Sequence, residues 1–550
     1  MSRNLSALSG RKGLQRNLFE QMGLAAIAAD GTPAPEALAW LADEFLIGDA
    51  NTYGSITAYD FMKPENRGKQ IYICNGSACL CAGTQEKVNE IVKQHFEESA
   101  IGHMTCLGRC HENSSFHYQG KNYSGNSIDQ LENLLKKEEV VQNGHYGVSA
   151  GYPLLTESFN DVKEFKALLY TALQSGPEKL LDEIKISQIR GRGGAGFPMG
   201  IKWEGCRNEI SDEKFIICNA DEGDPGAFSD RYLLEEKPLS VLFGMLIAGI
   251  CTGANWGVLF IRAEYPEAVH TVEETIRQLL ANKLIGEDIL GSGFTFNFKV
   301  IKAQGAYICG EETALINAIE GQRPEVRTRP PFPTQQGLFL KPTVVNNVET
   351  LAAAKWIVEN GGSAYARLGT EKSRGTKLVS LDGIFNRPGI VEVEMGTPLQ
   401  KVIYELGGGF RKPVKALHIG GPLGGIVPVE KISSLTVDFE SFAAEGFLLG
   451  HASIVCIPSD FPMIKYLEHL FQFAAFESCG KCFPCRLGTK RAHEMLHAAA
   501  HDMKTVNREL FMDLLNTLQQ GSLCAHGGGI PLPARNALMY FVDELNLHFN

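Results

Sequence analysis

Residues 191–203 read GRGGAGFPMGIKW, and where this run sits decides what kind of α/β domain surrounds it. Gly191, Gly193 and Gly196 satisfy G-x-G-x-x-G, which in a Rossmann unit leads from a strand straight into a helix whose N-terminus holds a pyrophosphate. Pro198 and Gly200 make a poor helix start, so a Rossmann loop is not expected here. The run still suits a phosphate: consecutive glycines let backbone N–H groups approach an anion, with Arg190, Arg192 and Lys202 at hand to add positive charge. A glycine turn that binds nothing is the bland alternative, and the neighbouring segments decide between the two.

Around this run, helical patterns (VKEFKALLYTAL, EAVHTVEETIRQLLANKL) alternate with short β-runs (KFIICNA, WGVLFIR, FNFKVIKA), which predicts a main α/β domain over 155–360. Within it CNADEGDPGAFSDR packs acids around glycine turns after a strand, and Asn219, Asp221 and Glu222 offer groups suited to a ring edge or ribose hydroxyls. A solvated acidic loop is the plainer reading. Glu311 and Glu312 open a helix, where the dipole alone favours acids. Asn346, Asn347 and Thr350 form a third polar group.

Cysteine spacing is the strongest signal. Cys74, Cys79, Cys106 and Cys110 form C-x4-C and C-x3-C, while Cys479, Cys482, Cys485 and Cys524 form C-x2-C-x2-C with a remote fourth. Thiolates so spaced suit zinc or iron–sulfur clusters, and three close ligands plus one distant fit a cubane cluster better than paired zinc ligands. Cys81 is left out because C-x-C geometry is tight. Cys206, Cys218, Cys251, Cys309 and Cys456 lie in apolar surroundings and read as buried thiols.

The rest of the chain frames these segments. Residues 1–61 read as a helical preface, 62–141 as a small α/β unit around the first cysteines, and QNGHYGVSAGYPL as a linker. Residues 375–455 read as a small β-rich module and 458–550 as helical. The uncharged stretch from Pro238 to Ile261 reads as a buried helix leading into a buried strand rather than a membrane span. A 550-residue chain with 44% apolar and 21% charged residues and a net charge of -11 is expected to be a multidomain cytoplasmic protein, with no basic field for nucleic acid. No secretory signal is read at its start, and fourteen cysteines are too dilute for a disulfide scaffold, so reduced thiols are expected. His493, Glu494 and His497 spell H-E-x-x-H, but His501 does not fit the extended protease pattern, and a solvated helical face accounts for them. No G-x4-G-K-[ST] supports ATP chemistry.

The segments GRGGAGFPMGIKW, CNADEGDPGAFSDR, GAYICGEETALINAIEGQRPEVRTRPPFP, KPTVVNNVET and ESCGKCFPCRLGT, in this order, resemble the flavin-bearing, NADH-oxidising 51 kDa subunit of respiratory complex I and its soluble diaphorase relatives. The first 141 residues resemble that family's 24 kDa partner, a helical preface with a thioredoxin-like [2Fe–2S] domain, here fused ahead. The resemblance implies a non-classical FMN/NADH-binding α/β domain, a β-grasp-like module and a C-terminal helical [4Fe–4S] domain. It implies that Gly191, Arg192, Gly193, Gly194, Lys202, Asn219, Asp221, Glu222, Asn346, Asn347 and Thr350 hold FMN. Phe197, Glu312 and Phe332 would contact NAD(H), the second cysteine group would carry [4Fe–4S] and the first [2Fe–2S]. No side chain need act as acid or base on the hydride.

The chain departs from the family at Asp224, where many relatives have Glu, at Gly205, where they carry a bulky apolar residue, and in the 26 residues between its first cysteine pairs, a shorter gap than expected. Fused forms resemble diaphorase subunits of NAD-dependent formate dehydrogenases and NAD-reducing hydrogenases. The resemblance favours a molybdenum or tungsten formate dehydrogenase partner, with a hydrogenase subunit as the alternative. A zinc-stabilised scaffold without enzymatic activity is the reading from a different class.

Overall fold

The computed structural model describes residues 3–29, 32–63, 65–138, 146–502 and 504–550. At its centre lies a parallel four-stranded sheet of β6 (Phe215–Ala220), β7 (Trp256–Ile261), β8 (Asn297–Lys302) and β9 (Thr343–Asn347), in spatial order β8-β7-β6-β9. The two central strands, β6 and β7, are apolar on both faces because both are covered, as parallel sheets require, while the edge strand β8 is half-buried. Alternate residues feed two cores. Phe215, Ile217, Val258 and Phe260 meet Leu14, Phe19, Leu38 and Ile56 from the N-terminal helices. Ile216, Cys218, Leu259 and Ile261 face a larger core that includes helix Pro238–Thr252. The helical preface is thus one layer of this central sheet.

Helix Pro238–Thr252 and β7 are the buried helix and strand expected of the long uncharged stretch. Among the described residues no helix is long and apolar enough to cross a membrane.

The sequence order of the strands places the switch of direction between β6 and β9, since β7 and β8 extend the sheet on one side and β9 joins on the other. Crevices at the carboxyl ends of strands beside such a switch are where α/β sheets take ligands.

Around the first cysteines, β1 (Ile71–Cys74), β2 (Ile101–Met104), β3 (Phe116–Tyr118) and β4 (Lys121–Tyr123) form a mixed sheet in the order β2-β1-β3-β4. A six-stranded mixed sheet follows later in the chain: β13 (Gly425–Pro428), β12 (Val414–Ile419), β14 (Ser453–Pro458), β10 (Thr376–Leu381), β11 (Gly389–Glu394) and β5 (Ser149–Ala150). Its last strand corrects the sequence reading. The supposed linker contributes β5, which pairs in parallel with β11, while the Glu392 carboxylate accepts N–H bonds from Leu154, Leu155 and Thr156 at 2.8–3.1 Å. Helices Met463–Phe476, Phe483–His501 and Arg508–Gly521 frame the second cysteine group.

Candidate functional site

The glycine run is entered from helix Pro177–Ser187 and comes before the first strand of the central sheet, so the structure agrees that it is no Rossmann loop. The physical reason differs from the expected one, because helix Met199–Asn208 does begin directly after the run, with Pro198 as N-cap. A missing N–H costs nothing at a helix start, so proline there marks an entry and not a break.

The loop lies against the end of β9. The Arg192 N–H donates to Thr350 Oγ1 at 2.8 Å, and a Cβ on Gly193 would stand 3.0 Å from that of Asn347. Gly194 has φ +113°, a conformation closed to other residues without strain. The register aligns Asn219 of β6 with Asn347 of β9, placing both amides at the carboxyl end of the switch point. Asn347 caps helix Val348–Asn360 by accepting from Thr350 N, and its Nδ2 donates to Asp230 Oδ2 at 2.6 Å. Asn346 accepts from Trp203 Nε1 at 2.8 Å. Asn219 donates to Gly310 O at 2.8 Å, tying β6 to the segment that carries Glu311 and Glu312.

The three expected cations are all engaged. Arg190 donates to Gly196 O and pairs with Glu440 at 2.6 Å. Arg192 is buried, its Nη2 donating to Tyr365 and to the Arg374 carbonyl. Lys202 spans Val345 O at 3.0 Å and Glu312 Oε2 at 2.9 Å. Charge along the sequence cannot reveal such pairing.

The acids divide by role. Glu311 caps its helix through Thr313 N and Ala314 N, whereas Glu312 faces Lys202 and Arg329. Glu222 is buried and accepts from the backbone of Asp230 and Arg231 and from the Tyr265 hydroxyl, so it anchors the acidic loop and offers no free carboxylate. Burial, with the Asp230 charge beside it, pushes Glu222 up to about 7. Burial likewise pushes Asp221 well above the carboxylate range, and its Oδ2 has no partner among the described residues. Asp224 accepts from the Tyr307 hydroxyl at 2.7 Å. Phe197 and Phe332, each about half exposed at 50% and 52%, stay available to a flat ligand. At Gly205, the Thr334 Oγ1 would lie 3.7 Å from an added Cβ, leaving room where a larger side chain is expected.

His451, from the six-stranded sheet's side, is a site residue that nothing local in the sequence marks. Its Nε2 lies 3.3 Å from Asp230 Oδ2. Burial pulls this imidazole down, but the Asp230 and Glu222 charges outweigh it and hold it at about 9.

Both cysteine groups assemble. Cys74, Cys79, Cys106 and Cys110 are all buried, with the Cys106 and Cys110 sulfurs 3.1 Å apart. A Cβ on Gly76 would lie 3.6 Å from both the Cys74 and the Cys106 sulfur, which places this residue between the two cysteine pairs. Cys81 is left outside: Lys412 donates to its carbonyl, and burial near Asp382 raises its thiol.

Cys479 and Cys482 lie on the loop before helix Phe483–His501, Cys485 in its first turn, and Cys524 at the N-cap of helix Ala525–Gly529. Burial pushes Cys485 up to about 12 and Cys524 to about 11, so bare thiols keep their protons there. A metal centre would draw them off as thiolates. This second group adjoins the polar site, since Tyr307 N donates to Glu477 Oε2 at 2.9 Å and Lys481 to Val326 O at 2.5 Å.

Residues 184–356 match the Nuo51 FMN-binding domain, and 465–548 the NADH-ubiquinone oxidoreductase-F iron–sulfur binding region. The HndC subunit of the NADP-reducing hydrogenase of Solidesulfovibrio fructosivorans is 40% identical over 69% of this chain and 78% of its own. The second F-type NADH-quinone oxidoreductase chain of Rhizobium meliloti is 36% identical over 76% of this chain and 98% of its own. The alpha subunit of the NAD-reducing hydrogenase HoxS of Cupriavidus necator is 37% identical over 70% of this chain, which spans 63% of that relative. A solved NAD+-reducing [NiFe]-hydrogenase in the air-oxidised state shares the fold, with a TM-score of 0.83 at 27% identity over 97% of this chain and 93% of that one. Shared identity of this extent, with an FMN-binding domain followed by a [4Fe–4S] region, shows that the chain belongs to the family of NADH-oxidising flavin proteins that serve complex I and NAD-reducing hydrogenases, and is an NAD-dependent flavin and iron–sulfur oxidoreductase.

Proposed function

We propose that FMN sits at the β6/β9 switch point, held by Gly191–Gly194, Lys202, Asn219, Asp221, Asn346, Asn347 and Thr350, with Glu222 positioning the acidic loop. The fit rests on this chain's own groups: the buried, partnerless Asp221 Oδ2, and the close approach of the glycine loop to Asn347. Phe197, Glu312 and Phe332 contact NAD(H). Cys479, Cys482, Cys485 and Cys524 ligate [4Fe–4S], and Cys74, Cys79, Cys106 and Cys110 ligate [2Fe–2S].

Bound flavin supplies the conversion between a two-electron donor and one-electron carriers, which NADH and iron–sulfur clusters require. The protein's part is placement. The Asn219 and Asn347 amides fix hydrogen-bonding positions at the sheet edge, and Lys202 joins this edge to Glu312. The Tyr307–Glu477 bond holds the second cysteine group beside it. That adjacency is the observation that carries the reading. In this reading an electron exit adjoins the nucleotide-oxidising site.

A partner catalytic subunit completes the activity. A molybdenum- or tungsten-dependent formate dehydrogenase subunit is the partner that the sequence resemblance favours. A hydrogenase subunit is the second reading, supported by the likeness to the hydrogenase structure along 97% of the chain. Purification of the native complex, with flavin, iron, molybdenum, tungsten, nickel and zinc measured together, tests both levels. Flavin with iron supports the redox module, and zinc without flavin sinks it. NAD reduction driven by formate or by hydrogen identifies the partner.

A further inference from the structure

Helix Phe483–His501 carries His493, His497 and His501 at four-residue spacing, which aligns three imidazoles on one helical face. Ring centroids lie 5.8 Å apart for His493 and His497 and 4.6 Å for His497 and His501. The neighbouring helix Met463–Phe476 presents Glu468 to the same face. Its Oε1 is 2.6 Å from His497 Nδ1, and its Oε2 is 3.0 Å from His501 Nε2. One ligand atom each from Glu468, His493 and His497 lies within 4.8 Å of the others. The sequence shows H-E-x-x-H without the carboxylate that gives it meaning, because Glu468 belongs to another helix.

We propose that Glu468, His493 and His497, with His501 in reach, form a binding site for a divalent transition-metal ion of the Zn2+ class. Two or three imidazoles with one carboxylate suit borderline ions, whereas Ca2+ and Mg2+ take oxygen ligands. Imidazole binds metal in its neutral form. The site is not hydrolytic. Glu494, the glutamate of the motif, pairs with Arg491 at 3.2 Å on the exposed surface, so no general base stands beside the ion. Its structural effect is a clamp: one ion joins the two helices between which the loop holding Cys479 and Cys482 is strung.

The test uses the untagged, cluster-loaded protein, since a polyhistidine tag would mimic the site. Zn2+ is titrated calorimetrically, retained zinc and iron are measured after dialysis, and the site is loaded with Co2+ for X-ray absorption. The expected result is one equivalent retained beyond the iron, with nitrogen and oxygen scatterers only. The His493→Ala/His497→Ala double variant should weaken binding about tenfold or more, and His497→Gln alone should weaken it measurably. The His497 side chain is exposed, so the single variant should fold as the wild type does, and unchanged iron content in both variants checks it. No retained equivalent, sulfur scattering from an ion lodged in the cysteine groups, or unaltered affinity in the variants overturns the proposal.

Discussion

Arg262 donates from Nη1 to the main-chain oxygen of Cys106 at 3.0 Å, reaching from the end of β7 into the first cysteine group. The same guanidinium bonds the carbonyls of Glu222 and Thr105, each at 2.6 Å, and pairs with Glu264 at 2.7 Å. The Arg262 and Glu264 side chains are buried. Arg262→Met strands these acceptors and leaves an unpaired carboxylate, at a cost of about 3–5 kcal/mol. The unfolding midpoint should fall and iron content should drop. Arg262→Lys should recover little, because an ammonium cannot reproduce the fork. Calorimetry with iron analysis checks both variants.

Gly193→Val should empty the flavin site. A Cβ there already meets Asn347 at 3.0 Å, and branching fills the remaining approach. Flavin absorbance of the purified variant against wild type reads the outcome, with Gly205→Ala, where space remains, as a control expected to keep its flavin.

Glu312→Gln removes the charge between Lys202 and Arg329, and Phe332→Ala removes a half-exposed ring. Both should weaken NADH oxidation while flavin stays bound. Loss of a stacking ring corresponds to roughly a tenfold rise in KM. Steady-state kinetics beside flavin content separates this outcome from general loss of the site.

His451 is held at about 9, above its ordinary 6.5, so the folded state keeps a proton that the unfolded chain releases in between. This stabilisation is complete below about pH 6.5 and is lost as pH rises through about 9. Glu222, raised to about 7, acts in the same direction over the lower window between about 4.5 and 7, where the folded state again holds the extra proton. Unfolding midpoints should therefore decline from neutral pH to pH 9–10, and His451→Gln should flatten that decline, an effect on the order of 2–3 kcal/mol.

Cys482→Ala removes one sulfur from the group beside the proposed flavin site. NADH should still bleach the flavin in stopped flow, while partner-linked NAD reduction collapses. Cys79→Ala, in the first group, should cost less partner-linked turnover. Full turnover in Cys482→Ala would break the proposed route.

The apolar strands β6 and β7 are the easiest part of the fold to read from the sequence, because burial on both faces makes them apolar runs, whereas β8 is half-buried and carries Lys299 and Lys302. β9 escapes such a reading, since TVVNN is short and ends in two polar residues that serve the site. Seven of the eight cysteines stand out because their spacing is local, whereas Cys524 lies 39 positions beyond Cys485. Convergence of the second group also needs Gly527, where an added Cβ would stand 2.7 Å from that of Cys485. Long-range pairings leave no trace in the sequence: Arg190 with Glu440, Lys202 with Glu312, and His451 with Asp230. Each depends on folding to bring together residues more than a hundred positions apart.

β5 occupies the outer edge of the six-stranded sheet, where its two residues cover Val391 and Glu392 of β11. An uncovered strand edge offers its N–H and C=O groups to any passing chain and invites intermolecular pairing. The short segment that joins the two fused parts therefore acts as a guard against self-association. A fragment begun at Leu155, cut to isolate the flavin portion, would bare β11 and trade a clean boundary for a sticky one.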